Sequence, residues 1–189
     1  MVNQEISVNH DMLEHSTSIG HKAVLFNQIK GTDGLRSALN VLARDRLCSI
    51  FNITPGELID ILAWAMDNPE EPIVVGKERA MVFENTQQEV DLTAIPIPWH
   101  YPEDRGRYQS ASVIIAQYDG IRNMSFHRQF LRDANHCVSR FVPRHLRTMT
   151  DKARANGEEI DIAVVNGPDA TVLLAAAMSF THDLDELTV

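Results

Sequence analysis

The feature that most restricts how this chain can fold is the pair Asp119-Gly120, which stands between two runs rich in Val, Ile, Phe and Met. Both residues tolerate positive φ at small steric cost, and such a pair between apolar runs is a strong hairpin signal. Ser112 to Gln117 supplies the β-branched strand that enters the turn. The chain leaves through Asn123-Met124-Ser125-Phe126-His127-Arg128, breaks at Arg132-Asp133-Ala134-Asn135 and returns through Arg140-Phe141-Val142-Pro143-Arg144-His145. The spacing predicts sheet across the stretch from Ile121 to His145.

This stretch carries more polar chemistry than a sheet needs. An amide, a hydroxyl, two imidazoles and several guanidiniums share space with residues that would ordinarily fill a core, and polar groups so placed must find partners or a ligand. The oxygen of Asn123 and the nitrogen of His145 suit a divalent cation of intermediate hardness, while Arg128, Arg140 and Arg144 suit phosphate or carboxylate. A phosphorylated cofactor held through a metal would use both sets.

Composition sets the frame for that reading. With 189 residues, 44% hydrophobic and 23% charged, the chain can bury a proper core as one domain or one plus a small appendage. A net charge of -9, without a long basic run, argues against nucleic acid or an anionic membrane as partner. No apolar run approaches the roughly 18 residues of a membrane span. Cys48 and Cys137, with no CxxC and no secretory leader, suggest a reducing cytoplasm and no disulfide.

Along the chain, Met1 to Ser18 reads as a loosely packed polar lead-in, with His10, His15 and His21 at the surface. Ala23-Val24-Leu25-Phe26 reads as a short strand, and Leu35 to Ala43 is ambiguous between strand and helix. Thr54-Pro55-Gly56-Glu57 has the form of a capping box, with proline at N1 and a glutamate that can reach back. Leu58, Ile61, Leu62, Ala65 and Met66 then recur at helical spacing as a buried stripe that Pro69 and Pro72 end, with Trp64 as a packing residue. Ile73-Val74-Val75 is expected as a strand, and Ala80 to Phe83 with Val90-Asp91-Leu92 as a hairpin. The two prolines of Ile95-Pro96-Ile97-Pro98 confine that segment to an extended edge that brings Trp99 and His100 across. Tyr101 to Arg107 is a charged loop. Leu146 to Ala155 reads as a helix stopped by Gly157, Ile160 to Val165 as a buried strand, and Ala170 to Met178 as an apolar helix. His127 and His136 are expected on strand faces, Cys137 in the core and His182 at the surface.

The motifs Asp91-Leu92, Ile95-Pro96-Ile97-Pro98, His100-Tyr101-Pro102-Glu103-Asp104, Gly106-Arg107-Tyr108, Arg122-Asn123 with Arg128, His145, the Gly167 to Met178 helix and Asp185-Glu186-Leu187 resemble the UbiD family of prenylated-flavin-dependent decarboxylases. The likeness covers nearly all of this chain and only the N-terminal part of a UbiD-like one. It implies an α+β fold: an N-terminal α/β segment over 1–90, then over 91–189 part of an FMN-binding split β-barrel with flanking helices. It implies that Asn123, His145 and Glu186 bind a divalent metal, Mn2+ or Mg2+, which anchors the phosphate of prenylated FMN, with K+ alongside near Met124, Ala175, Ala176 and Met178. Arg128 falls on the family's catalytic arginine. Ser125, Phe126, His127, Arg128, Arg140 and Arg144, together with the three metal ligands, fall on cofactor contacts. The implied reaction is reversible non-oxidative decarboxylation of an aromatic or α,β-unsaturated carboxylic acid.

The resemblance also marks departures. The family's catalytic glutamates lie well downstream of the metal-binding one, whereas this sequence stops three residues after Glu186, and the later barrel strands and dimerisation region are not in it. The loop reads Asp104-Arg105-Gly106 where two glycines after the aspartate are common. An ideal strand would send Asn123 and Arg128 to opposite faces unless a bulge or strand end intervenes. A carboxylate ligand so close to an end should fray unless covered. These points lead to the expectation of a split decarboxylase completed by a second subunit, or by self-association that buries the open sheet edge. The alternatives are a non-catalytic flavin-binding module and a stabilising subunit of a UbiD-like complex.

Overall fold

The computed structural model describes residues 1–178, 181 and 184–189; the expectation for His182 lies outside them. Their elements run α1 (Asp11–Ser18), β1 (Val24–Phe26), β2 (Ser37–Leu39), α2 (Arg44–Phe51), α3 (Leu58–Asp67), β3 (Tyr108–Gln109), β4 (Val113–Tyr118), β5 (Ile121–Phe126), β6 (Gln129–Leu131), β7 (Cys137–Ser139), α4 (His145–Asn156), β8 (Ile162–Val165) and α5 (Ala170–Ala177). Three antiparallel sheets result, with orders β1-β2, β3-β6-β7 and β5-β4-β8.

The hairpin forms as the turn residues require. Asp119 (φ 53°) and Gly120 (φ 76°) are both left-handed, the backbone of a type I′ turn, and β4 and β5 pair without a slip from Tyr118↔Ile121 to Val113↔Phe126. Both faces of this hairpin are covered. Val113 and Met124 pack on Leu173 and Ala176 of α5, whereas Ile114 and Ala116 pack on Leu146 and Met149 of α4. Alternation along the strands thus sends neighbouring residues to different helices. Asn123 stands opposite Ala116, and Ser125 opposite Ile114, so their position along β5 aligns them with the α4 side. The chain then changes sheet between Phe126, the last residue of β5, and Gln129, the first of β6, and this break frees Arg128 from the alternation of β5.

The flanking helices carry the stops their sequences imply. Gly157, at φ 72°, ends α4 and its N–H returns to the last carbonyls. The Asp169 carboxylate accepts the Thr171 N–H at 2.9 Å and caps α5. At the start of α3, the Glu57 carboxylate accepts the Thr54 N–H at 2.8 Å as expected. The Thr54 hydroxyl, however, donates to that carboxylate as well, and regular helix begins only at Leu58.

Several expectations are corrected. Residues 1–18 are not a loose lead-in: Ile6 and Met12 form a core with Val24, Phe26 and Ile29, because two well-spaced apolar residues suffice to dock α1 on β1. The segment 95–100 is extended, with the Trp99 N–H donating to Val8 O and the His10 N–H to Trp99 O, each at 2.9 Å. Arg107 pins that segment through the carbonyls of Ile97 (2.8 Å) and Ile95 (2.6 Å). Ile73-Val74-Val75 is not a strand. Ile73 is 91% exposed and no ladder partner reaches the run among the described residues, so β-branched composition has nothing to pair with. The expected hairpin of 80–83 with 90–92 is instead a set of 3-10 turns, Met81–Phe83 and Leu92–Ala94. Leu58 is buried with Ile61 and Leu62 against it, but Met66 and Trp64 point outward, Trp64 being 60% exposed. The β8 strand exists, yet Ile162 and Val164 are exposed rather than buried. Cys137 is half-buried rather than a core residue.

Candidate functional site

Three distant segments converge on one point. Asn123 projects from β5, His145 opens α4, and Glu186 opens a 3-10 turn, Glu186–Thr188, beside them. Asn123 Nδ2 donates to Glu186 Oε1 at 2.7 Å and lies 3.4 Å from His145 Nδ1. His145 Nδ1 stands 3.5 Å from the same carboxylate oxygen. Asn123 and Glu186 are buried, at 3% and 4% exposed, and the His145 side chain is 17% exposed. The other carboxylate oxygen of Glu186 accepts the Met124 N–H at 2.8 Å, which fixes the carboxylate to the strand that carries Asn123.

The Glu186 segment does not fray. Arg122 and Asp185 form a two-point ion pair at 2.7 and 2.5 Å, and the Asp185 carboxylate also caps the turn by accepting the Leu187 N–H at 2.9 Å. Leu187 packs into the cluster between the hairpin and α5, and the Glu70 N–H donates to Thr188 O at 2.8 Å. The cover that a carboxylate in this position needs is thus supplied in part by the chain's own residues.

A cavity of about 490 Å3 opens from this cluster, lined by residues 123–127, 142–146 and 176–178 together with Glu186. Ser125 and His127 continue the polar line of Asn123. The Ser125 hydroxyl donates to Asn123 Oδ1 at 3.0 Å, and His127 Nε2 lies 3.0 Å from the same hydroxyl. The His127 ring meets Phe141 edge-on with centroids 4.9 Å apart, and burial pushes its pKa down, which favours the neutral imidazole. His127 sits past the end of β5, and His136 is in the turn before β7, bonded to Asp133 at 2.7 Å, so neither is the strand-face histidine expected.

The remaining site residues divide. Arg144 lines the cavity, and so do Met124, Ala176 and Met178 of the expected K+ neighbourhood; Ala175 lies in the packing of α5. Arg140 is exposed and away from the cavity lining. Arg128 is also exposed, with its guanidinium 4.8 Å over the Tyr108 ring, and among the described residues no carboxylate pairs with it. Arg105 makes a similar contact 5.3 Å over Phe130. The pair Arg122–Asp185 and the Ser125 bridge were not anticipated. Ser125 was expected as a cofactor contact, and its link to Asn123 follows from the alternation they share on β5, whereas nothing local links residues 122 and 185. No group of three His, Cys, Asp or Glu side chains able to hold a metal occurs among the described residues; the Asn123 amide is needed to bring this donor set to three.

Residues 73–189 match the family model of the 3-octaprenyl-4-hydroxybenzoate carboxy-lyase Rift-related domain, UbiD. The chain belongs to the UbiD family. It is 32% identical over 155 residues to an anhydromevalonate phosphate decarboxylase of Methanosarcina mazei, covering 82% of this chain and 36% of the relative. The evolved dimeric form of the UbiD-class enzyme HmfF from Pelotomaculum thermopropionicum, solved in complex with prFMN, superposes with a TM-score of 0.93 at 26% identity over 99% of this chain and 45% of that one. The fold is shared also with the closed form of the Sedimentibacter hydroxybenzoicus vanillic acid decarboxylase ShVdcCD, at a TM-score of 0.89, 20% identity and 98% of this chain against 43% of that one. The chain thus spans about a third of the length of that curated relative and under half of those solved structures. Its mixture of helices and small antiparallel sheets is that of the UbiD class. No helix among the described residues is long and apolar enough to cross a membrane.

Proposed function

We infer that this chain is the metal-binding and flavin-phosphate-binding part of a cytoplasmic UbiD-type carboxy-lyase. One observation carries the reading: the Asn123, His145 and Glu186 side chains meet within 2.7–3.5 Å at the end of a cavity. Two oxygens and an imidazole nitrogen suit Mn2+ or Mg2+, and a buried carboxylate facing an imidazole and an amide gains most from a cation between them. The phosphate of prenylated FMN fits beside that ion, where the first turn of α4 offers backbone N–H groups and Arg144 offers a guanidinium. Ser125, Phe126 and His127 form the adjoining wall, K+ falls to the neighbourhood of Met124, Ala175, Ala176 and Met178, and Arg140, exposed and outside the lining, is assigned to a cofactor contact made only in the completed fold.

When bound, the prenylated flavin supplies the electron sink for loss of carbon dioxide from an aromatic or α,β-unsaturated acid. Arg128 has the role of binding and orienting the substrate carboxylate, a matter of positioning and charge. The neutral His127 adds no charge to the cavity wall. The name of the Methanosarcina relative favours an unsaturated, phosphate-bearing acid within the substrate class. The product must also be protonated by an acid of matched pKa, and we assign that glutamate, with the remaining strands of a split barrel, to polypeptide beyond these residues, in a partner subunit, with self-association as the other way to bury the open sheet edge. The greater length of the relatives supports this, as do the exposed side chains of Trp64, Ile73, Val74 and Ile162. A second reading, flavin binding without catalysis, is favoured by the stacking of Arg128 on Tyr108 away from the cavity.

The test is to purify the chain after co-expression with a flavin prenyltransferase, alone and with the downstream part of a relative, and to measure flavin, manganese and carbon dioxide release. Manganese-dependent flavin retention that Glu186→Gln abolishes, with turnover only in the completed form, is the expected result. Equal flavin and metal content in Glu186→Gln would refute the site, and turnover by the chain alone would remove the need for completion.

A further inference from the structure

The orientation of the Asn123 amide is informative. Its Nδ2 faces Glu186 and His145, and its Oδ1 is turned back to the Ser125 hydroxyl at 3.0 Å. A cation at the meeting point of the three side chains requires the amide oxygen there and is repelled by an amide N–H. Loading the site therefore demands a half-turn of the amide, after which Nδ2 faces Ser125. The hydroxyl must then accept where it now donates, and it needs somewhere to send its own proton. His127 Nε2, 3.0 Å away, is placed to receive it.

We propose that Ser125, backed by His127, is a positioning residue whose hydroxyl reverses its hydrogen-bond sense to hold the Asn123 oxygen toward a divalent cation. The inference rests on the reading of Asn123, His145 and Glu186 as the cation ligands. Ser125 Oγ–H donates to Asn123 Oδ1, and with that proton committed the 3.0 Å contact to the imidazole is a hydrogen bond only when His127 Nε2–H donates to Ser125 Oγ. In the loaded arrangement Asn123 Nδ2–H donates to Ser125 Oγ and Ser125 Oγ–H donates to His127 Nε2. The imidazole passes from its Nε2–H to its Nδ1–H tautomer by exchange with water, so no proton is gained or lost overall. A hydroxyl can serve both ways because it carries one donor and two acceptor sites, whereas a methyl can serve neither. Asn123, Ser125 and His127 are spaced two apart, and only at that spacing does alternation keep successive strand side chains on one face; the observed contacts carry the line past the strand end at Phe126 to His127.

The experiment titrates the 189-residue chain with Mn2+ in the presence of saturating FMN, reading free Mn2+ by its paramagnetic resonance signal, with thermal midpoints as the folding control. Loss of a group that orients a metal ligand commonly weakens metal binding about tenfold or more. Ser125→Ala is expected to weaken Mn2+ binding about tenfold, Ser125→Thr to restore it, and His127→Phe, which keeps the hydroxyl but removes its acceptor, to weaken it severalfold. The double variant should be no worse than Ser125→Ala, since both act on one link. A purely packing role for Ser125 would leave Mn2+ binding in Ser125→Ala within twofold of the parent at an altered thermal midpoint, and that result overturns the proposal. Should Ser125→Ala fail to fold, unchanged binding in His127→Phe overturns it equally. A parent chain that binds no Mn2+ more tightly than its Glu186→Gln variant would instead refute the cation site itself.

Discussion

Removing the Asp185 carboxylate tests whether the Glu186 turn is held by the contacts described. Docking it orders about five residues, at about 1 kcal/mol each for the backbone. Against that stand the largely buried Arg122–Asp185 pair, its side chains 29% and 23% exposed, at about 2 kcal/mol, and the Asp185 cap on Leu187 at about 1 kcal/mol. The bonds from Met124 N–H and Asn123 to the Glu186 carboxylate add about 3 kcal/mol, and the partial burial of Leu187 about 1 kcal/mol. The docked turn is then favoured by about 2 kcal/mol. Asp185→Ala deletes about 3 kcal/mol of this and reverses the balance to about 1 kcal/mol against docking, so the docked fraction falls to about one sixth and apparent Mn2+ affinity about sixfold. Arg122→Ala keeps the cap, brings docking near even and should weaken binding only about twofold. Native-state hydrogen exchange reads the same equilibrium at the Met124 amide, whose acceptor is Glu186: the open fraction rises from about 0.03 to about 0.8, so it should exchange about 25-fold faster in Asp185→Ala. An Asp185→Ala protein with parental Met124 protection and parental Mn2+ binding, or an Arg122→Ala protein more impaired than Asp185→Ala, would refute this account of the turn.

Asp169→Ala should cost about 1 kcal/mol through loss of the α5 cap, lowering the thermal midpoint by about 2–4 °C, while Asp169→Asn should recover most of it; no change in either would mean that α5 is held by packing alone. Burial pushes the pKa of both His127 and His100 down, for His100 against the pull of Asp104. The unfolded chain therefore binds protons first as pH falls below about 6.5. Stability should be level above that pH and should decline as pH falls below it. The lowered carboxylates, Asp91, Asp133, Asp169 and the exposed Glu57, contribute only at more acid pH. Urea midpoints that stay level over this fall in pH, or that decline equally in a His100→Phe, His127→Phe double variant, would contradict the assignment.

What was legible in the sequence is what local chemistry decides. Asp119-Gly120 specified a type I′ turn because only residues that accept positive φ can make it, and alternation then fixed the register of Val113 to Phe126. Gly157 and the proline pairs stopped elements for equally local reasons. Ile73-Val74-Val75 was misread because β-branched composition offers a strand but not a neighbour to pair with. Residues 1–18 were misread because Ile6 and Met12 find their partners, Val24, Phe26 and Ile29, only once the chain has turned back. Of the site, the meeting of Asn123 and His145 follows from a register in which Asn123 stands opposite Ala116, one of the residues packed on α4, a fact no window of sequence contains. The resemblance named three residues that the structure brings together, but not the Arg122–Asp185 pair that holds the third in place.

The two ends of the proposed site differ in how finished they are. At the phosphate end the carboxylates and the Asn123 amide are tied within the chain: Glu186 to Met124 and Asn123, Asn123 to Ser125, and Asp185 to Arg122. Apart from the half-turn of the Asn123 amide that loading demands, such a cluster has its side chains ordered before its ligand arrives, and that part of the cost of binding is already met. At the reacting end, Arg128 rests on the Tyr108 ring, a contact worth only about 0.5–1 kcal/mol at an exposed position. A bidentate carboxylate is a stronger partner for a guanidinium than a ring face, so a glutamate or a substrate brought near would draw Arg128 off Tyr108 at small cost. On the proposed function, the cation and phosphate can therefore be held by this chain as it stands, while the catalytic arginine takes its working position only when the rest of the fold supplies that carboxylate.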